Sequence, residues 1–232
     1  FDTFQLSWLG AAAGQQAITL HILLNAVVVV MTLPFIAGIV AIAKRAVPQQ
    51  AAPGADALSA LDAGALDHTP LALACAQREL LRMAETVQSV LVPVMQLFRD
   101  WDNETARIIE MREDNIDRMH FETKIYVSRL REGTLTPSEE KKTLEMITIA
   151  NNLEEAADRV AVNLLALAKK MRDEAVTFSD AGLSDLAEFH DQVVTNGQLA
   201  LRVLTTGDAE AARQLVEEKA RIRIEEQRLQ ER

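Results

Sequence analysis

The sequence predicts an all-α protein: one transmembrane helix followed by a bundle of long antiparallel helices. Three observations predict it. Residues 17–43, a run of 27, contain no charged side chain. Beyond residue 70, apolar residues recur three or four apart over long stretches, the period of a helix with one buried face. The apolar–polar alternation of a half-buried strand is missing from the sequence.

Charge divides the chain in the same place. Its 232 residues hold 24 Lys and Arg against 34 Asp and Glu. Asp2, Lys44 and Arg45 are the only charges before residue 46, so the remainder carries 22 basic and 33 acidic residues, a net −11. That balance argues against nucleic acid as a partner, because a phosphate backbone needs a Lys/Arg surface. It suits cations, metals included. Cys75 is the single cysteine, so no disulfide framework exists, as in a reducing compartment. The chain opens on Phe1 rather than Met and closes on a charged helical run, Glu225 to Arg232. It reads as a fragment of a longer protein.

Residues 1–45 are the membrane segment. Residues 1–16, with Trp8, Gly10 and Gly14, form an interfacial approach. Residues 17–43 as a helix reach about 40 Å at 1.5 Å per residue. A bilayer core is about 30 Å thick, so the helix spans with tilt. Lys44 and Arg45 stand at its exit, and basic residues favour the cytoplasmic side. Residues 46–232 are therefore expected in the cytoplasm. His21 and Asn25 are four apart and share one face of the span. Polar groups at such depth line a transport pathway or hydrogen-bond to a neighbouring helix, and both readings imply further spans beside this one. Pro34 and Gly38 are positions where the helix can kink.

Residues 46–70 hold Pro48, Pro53, Gly54, Gly64 and Pro70 among small residues, the composition of a flexible linker. The helical domain, 71–232, follows. Its first helix is predicted over Leu71 to Phe98, with Leu73, Ala76, Leu80, Met83, Val87, Val90, Val94 and Leu97 inward, and Pro93 as a kink. The second runs from Asp102 to Arg131, with Ile109, Ile116, Met119, Thr123, Tyr126 and Leu130 inward. Gly133 ends it, and the short loop makes the third helix antiparallel. Thr136-Pro137-Ser138-Glu139 is a capping box with Pro at the first helical position. The third helix's seam is Ala150, Leu153, Ala157, Val160, Leu164, Leu167 and Met171. A fourth covers Leu183 to Thr206, stopped by Gly207, and Asp208 caps a fifth that reaches the chain end.

The second and third helices carry the residues with chemistry. Glu110, Glu113, Asp117 and His120 step by three and four along one stripe, with Asp114 beside it. Asn151, Glu154 and Asp158 do the same on the third helix. Carboxylates from two facing antiparallel helices can meet one cation, the way helix-bundle metal sites are built. Oxygen donors with one His suit Mg, Mn or iron better than zinc. The same pattern also fits a solvated acidic face neutralised by Arg112, Arg118 and Arg159. No nucleophile constellation, phosphate-cradling Gly loop or Cys/His zinc pattern occurs, so the sequence gives no reason to expect an enzyme.

Several of these residues together resemble a known family. His21-x-x-x-Asn25 followed by Leu33-Pro34-Phe35 resembles the final span of bacterial sodium/phosphate cotransporter family proteins. Leu61-Asp62, Ala65-Leu66, Pro70 and Arg78-Glu79-Leu80-Leu81-Arg82-Met83-Ala84 are similar to the opening of their cytoplasmic PhoU-like domain. Asn152-Leu-Glu-Glu-Ala-Ala-Asp158 looks like the PhoU signature, although Asn152 and Glu155 stand where Asp and Arg are usual and Ala157 replaces a Gly. The resemblance implies a PhoU-like bundle of three-helix units, its second half truncated here. It implies sodium-driven phosphate symport across the inner membrane by a multi-pass protein, with residues 1–45 as the final segment of the transport unit. Phosphate, sodium, the lipid bilayer and the missing transmembrane helices are then the partners. The Gln-Ser-Ser motif of such transporters does not occur, so the transport site is expected outside this chain. Some PhoU-like domains bind iron or another metal; the matching positions are Glu154 and Asp158, with Asp114 and Asp117 facing them. The alternative is a membrane-tethered metal-binding regulatory or signalling bundle.

Overall fold

The computed structural model describes residues 13–32 and 59–231, with side chains over 18–31 in the first stretch. The chain divides into two compact units between Ala57 and Leu58. In the first, α1 covers Ala13–Thr32. Ile18, Ile22, Leu24, Val30 and Met31 on it are all exposed. Asn25 and His21 bond to each other, Nδ2 to Nε2 at 3.0 Å. Residues 33–43 of the expected span, and Lys44 and Arg45 after it, lie outside the described residues. Among the described residues no helix is long and apolar enough to cross a membrane, so the expected transmembrane helix has no support there.

Every regular element among the second unit's described residues is helical. A 3₁₀ turn, Ala63–Ala65, leads into α2 (Thr69–Arg99), α3 (Asn103–Arg131) and α4 (Pro137–Asp158). A π-helical stretch, Arg159–Leu164, continues without a break into α5 (Leu165–Asp173), and α6 (Asp180–Thr206) and α7 (Ala209–Gln230) follow. Local chemistry sets most of these ends. Pro70 sits in the first turn of α2, where its missing N–H costs nothing. The Asp102 carboxylate accepts from the Thr105 hydroxyl and from the Thr105 and Glu104 amides, which holds it below the usual carboxylate range. Thr136 and Glu139 close both halves of the capping box on α4. α6 starts earlier than its apolar pattern, because Ser179 accepts from the Gly182 amide and caps it. Gly207 takes the left-handed conformation that ends α6, at φ 64°, and Asp208 caps α7.

α2, α3 and α4 pack on one another as a three-helix bundle, α6 lies on α2, and α7 lies on α6. Leu80, Met83, Val90, Ile109 and Ile116 are sealed inside the bundle. Burying such a side chain is worth about 1.5–3 kcal/mol. The hairpin is shallower: α6 buries no residue completely and α7 buries Ala211.

Two expectations change. The seam of the third helix holds through Ala150, Ala157 and Val160, then shifts to Ala161, Leu165 and Ala168. Leu164 is only partly buried and Leu167 is 47% exposed. The π-helical stretch is the cause: the Leu165 amide reaches back five residues to the Val160 carbonyl, and the wider turn moves the inward face by one position. The expectation of a flexible linker over 46–70 also changes at its C-terminal end. Residues 46–58 lie outside the described residues, but the segment from Ser59 to His68 is held on the bundle. Leu61 and Leu66 pack against its core and Ala65 is buried in it.

Candidate metal centre

The short connection after α3 sets α3 and α4 side by side and antiparallel. His120 Nε2 meets Asn151 Oδ1 at 2.8 Å. Seven residues earlier on α3 stands Glu113, and seven later on α4 stands Asp158, the spacing antiparallel neighbours require for a second contact two turns away. Glu113, Asp117 and Asp158 do converge there, each offering a carboxylate oxygen within 4.8 Å of the others. Glu113 and Asp158 are half-buried and Asp117 is exposed.

Three like charges this close oppose one another's ionisation. Burial, then Asp117, Asp114 and Asp158, push the Glu113 carboxyl up to about 7, and a hydrogen bond with Asp158 adds to the rise. Asp117 is raised by burial and by the Asp158 charge, with His120 opposing. The arginines that would neutralise an ordinary acidic face are engaged elsewhere. Arg112 donates to the Ser89 carbonyl, Arg118 to Asn115 and Arg159 to Glu155.

The sequence candidates sort as follows. Asp117 and Asp158 come together. Asp114 is exposed and acts on the group only through its charge. Glu154 is half-buried and is not among the converging carboxylates. Side chains on a helix tilt toward its N-terminus, which carries Asp158 toward the Glu113–Asp117 pair and Glu154 toward the Asn151 end. Glu113, a member of the α3 stripe, supplies the third oxygen. His21 and Asn25 belong to the other unit and bond to each other.

The donor set fits a hard cation. Three carboxylate oxygens from two helices suit Mg, Mn, Ca or iron, with water completing the shell, and no thiolate is near to favour zinc. A cation there would discharge the repulsion that raises Glu113.

Fold and carboxylates together define a class: a helical bundle with an acidic seam, and residues 80–176 match the family model of the PhoU domain. The matched stretch lies within the helical unit and contains Glu113, Asp117 and Asp158. Two curated relatives align over 164 residues, 71% of this chain but 30% of their own length. Both are named "Putative inorganic phosphate export protein YjbB". The one from Salmonella typhimurium strain LT2 is 32% identical, and that from Escherichia coli strain K12 is 30% identical. This chain thus spans about a third of the relatives it matches. No solved structure matches it.

Proposed function

We propose that this chain is the membrane-attached regulatory part of a sodium-coupled phosphate transporter. Its PhoU-like unit binds a divalent cation or iron at Glu113, Asp117 and Asp158, and that binding sets phosphate flux. The observation that carries the reading is this carboxylate trio on a PhoU-like bundle, in a chain similar to proteins named for phosphate export. A cation held by α3 and α4 together stabilises whichever arrangement of the two helices brings the three oxygens closest. Only such differential affinity shifts a conformational equilibrium.

Residues 17–43 would supply one span, with the rest of the helices outside this chain. The uncharged run, the exposed apolar side chains of α1 and the Lys44–Arg45 exit support that placement, with residues 46–232 in the cytoplasm of an inner-membrane protein. His21 and Asn25, paired along one face, would then pack against a neighbouring span or line the pathway. No catalytic role is assigned to any residue.

The trio alone also suits a tethered metal-binding regulator with no phosphate role. Phosphate flux through the whole protein, with and without residues 71–232 and with and without sodium, separates the readings. The proposal expects flux that needs sodium, and a response of flux to phosphate supply that disappears with the deletion. An unchanged response removes the regulatory role, and sodium-independent flux removes the coupling.

A further inference from the structure

Glu79 is a carboxylate inside the helical unit, 1% exposed, and the acidic seam does not involve it. Its Oε2 accepts from the Ala60 amide at 2.7 Å and from Arg82 Nη1 at 2.8 Å. Nearby, the Tyr126 hydroxyl of α3 donates to the Asp62 carbonyl at 2.8 Å. Burial pushes this phenol up to about 12, so it is a donor at every physiological pH. The Asp62 side chain in turn accepts from the Gly64 amide at 2.8 Å and starts the 3₁₀ turn. That turn seats Ala65 among Ala72, Leu73, Ala76, Leu80 and Val127.

A segment that only needed anchoring would be held more cheaply by apolar contacts, because a buried charge costs several kcal/mol to desolvate. Buried polar groups do what apolar ones cannot: they fix register, since a hydrogen bond has one partner and one direction. Here two of them grip backbone atoms two residues apart, from two different helices. Arg82 keeps the Glu79 charge paired and is itself 29% exposed.

We infer that residues 60–66 are a latched strap, with Glu79 and Tyr126 as its two locks, and that the latch limits the reach of the chain entering the helical unit. Extended chain covers at most about 3.3–3.6 Å per residue. From Arg45 to a latched Ala60 the covalent limit is therefore on the order of 50 Å, and from Arg45 to Thr69 with the strap free it is about 80 Å. Opening the latch lengthens the tether by more than half without disturbing the helices. The inference stands on the strap's own contacts and is independent of the phosphate reading.

Amide hydrogen exchange on the full chain tests it, comparing Tyr126→Phe and Glu79→Met, whose side chain of similar length has no acceptor for the Ala60 amide, with the parent. Each variant removes one polar grip with little change of shape. Loss of one such bond corresponds to roughly 10-fold faster opening. Exchange across residues 60–66 should therefore accelerate by about 10-fold in each variant, while α3 and α4 keep their protection. Unchanged exchange of the strap in either variant overturns the latch. So does acceleration of strap and helices together, since the strap would then be part of the global fold and not a separate lock. If Glu79→Met fails to fold, Glu79 is a structural core acid and its role as a lock is lost, and Tyr126→Phe then decides whether the strap opens separately.

Discussion

The Arg112 guanidinium of α3 donates to the Ser89 carbonyl of α2 at 2.6 Å. An uninterrupted helix would offer that carbonyl to the amide of residue 93, and residue 93 is Pro, which has no N–H. The orphan acceptor is met from the neighbouring helix. A second α2 carbonyl close by, that of Leu91, meets His190 Nε2 of α6 at 3.0 Å. The proline is thus where both neighbours are tied to α2 by side chain rather than by packing alone.

Arg112→Met should accordingly destabilise the helical unit by about 1.5–3 kcal/mol, the range for a hydrogen bond from a charged donor. In a Pro93→Ala background, residue 93 can serve Ser89 itself and the same substitution should cost about 1 kcal/mol less. Denaturant unfolding of the four proteins gives the coupling. Strictly additive effects would mean that Arg112 does not compensate for Pro93.

The π-helical stretch makes a sharper contrast between near neighbours. Leu165 is 5% exposed and Leu167 is 47% exposed. Leu165→Ala should lose about 2–5 kcal/mol, and Leu167→Ala well under half of that. Similar losses at both positions would place the seam back on the regular helical register.

Glu113 carries a pH signature. Its carboxyl titrates near 7 in the folded protein, above the ordinary 4.5, so the folded state holds its proton more tightly than the unfolded one. The associated stability is fully present below pH 4.5 and is lost as pH rises through 7. Other carboxylates, Asp102 among them, are shifted the opposite way, so the informative quantity is a difference. Glu113→Gln should match the parent in melting temperature near pH 5 and exceed it at pH 8, without added metal. A constant gap across that range would show that Glu113 is not perturbed.

Cation binding has its own readout. Saturating Mg²⁺, Mn²⁺ or Fe²⁺ at 100 times its Kd should stabilise the unit by about 2.7 kcal/mol. For a domain of this size that is a rise of roughly 5–10 °C in Tm. Asp117→Asn and Asp158→Asn should abolish it, whereas Glu154→Gln should leave most of it. Equal loss with Glu154→Gln would redraw the ligand set.

Helix starts and most of the bundle core were legible because their causes are local. Thr136, Asp102 and Asp208 cap through atoms two or three residues away, and Ile109, Ile116 and Met119 repeat at the helical period. The shift from Leu167 to Leu165 was not legible, since nothing in Arg159–Leu164 marks the wider turn. Residues 59–68 looked like linker because their composition is small and turn-rich. Their anchors, Glu79 and Tyr126, come from helices distant in sequence. The acidic seam was half legible: periodicity put Glu113, Asp117 and Asp158 on facing stripes. The same stripe already set Glu113 ahead of Asp114, which entered through the family resemblance; leaving out Glu154 depended on side-chain tilt between two helices.

If the carboxylate trio governs phosphate movement, as proposed, phosphate flux through the whole protein will show it, parent against Asp117→Asn/Asp158→Asn, over a range of internal phosphate. The variant should still move phosphate, but its flux should no longer adjust to the internal level. Superimposable curves for parent and variant would contradict it.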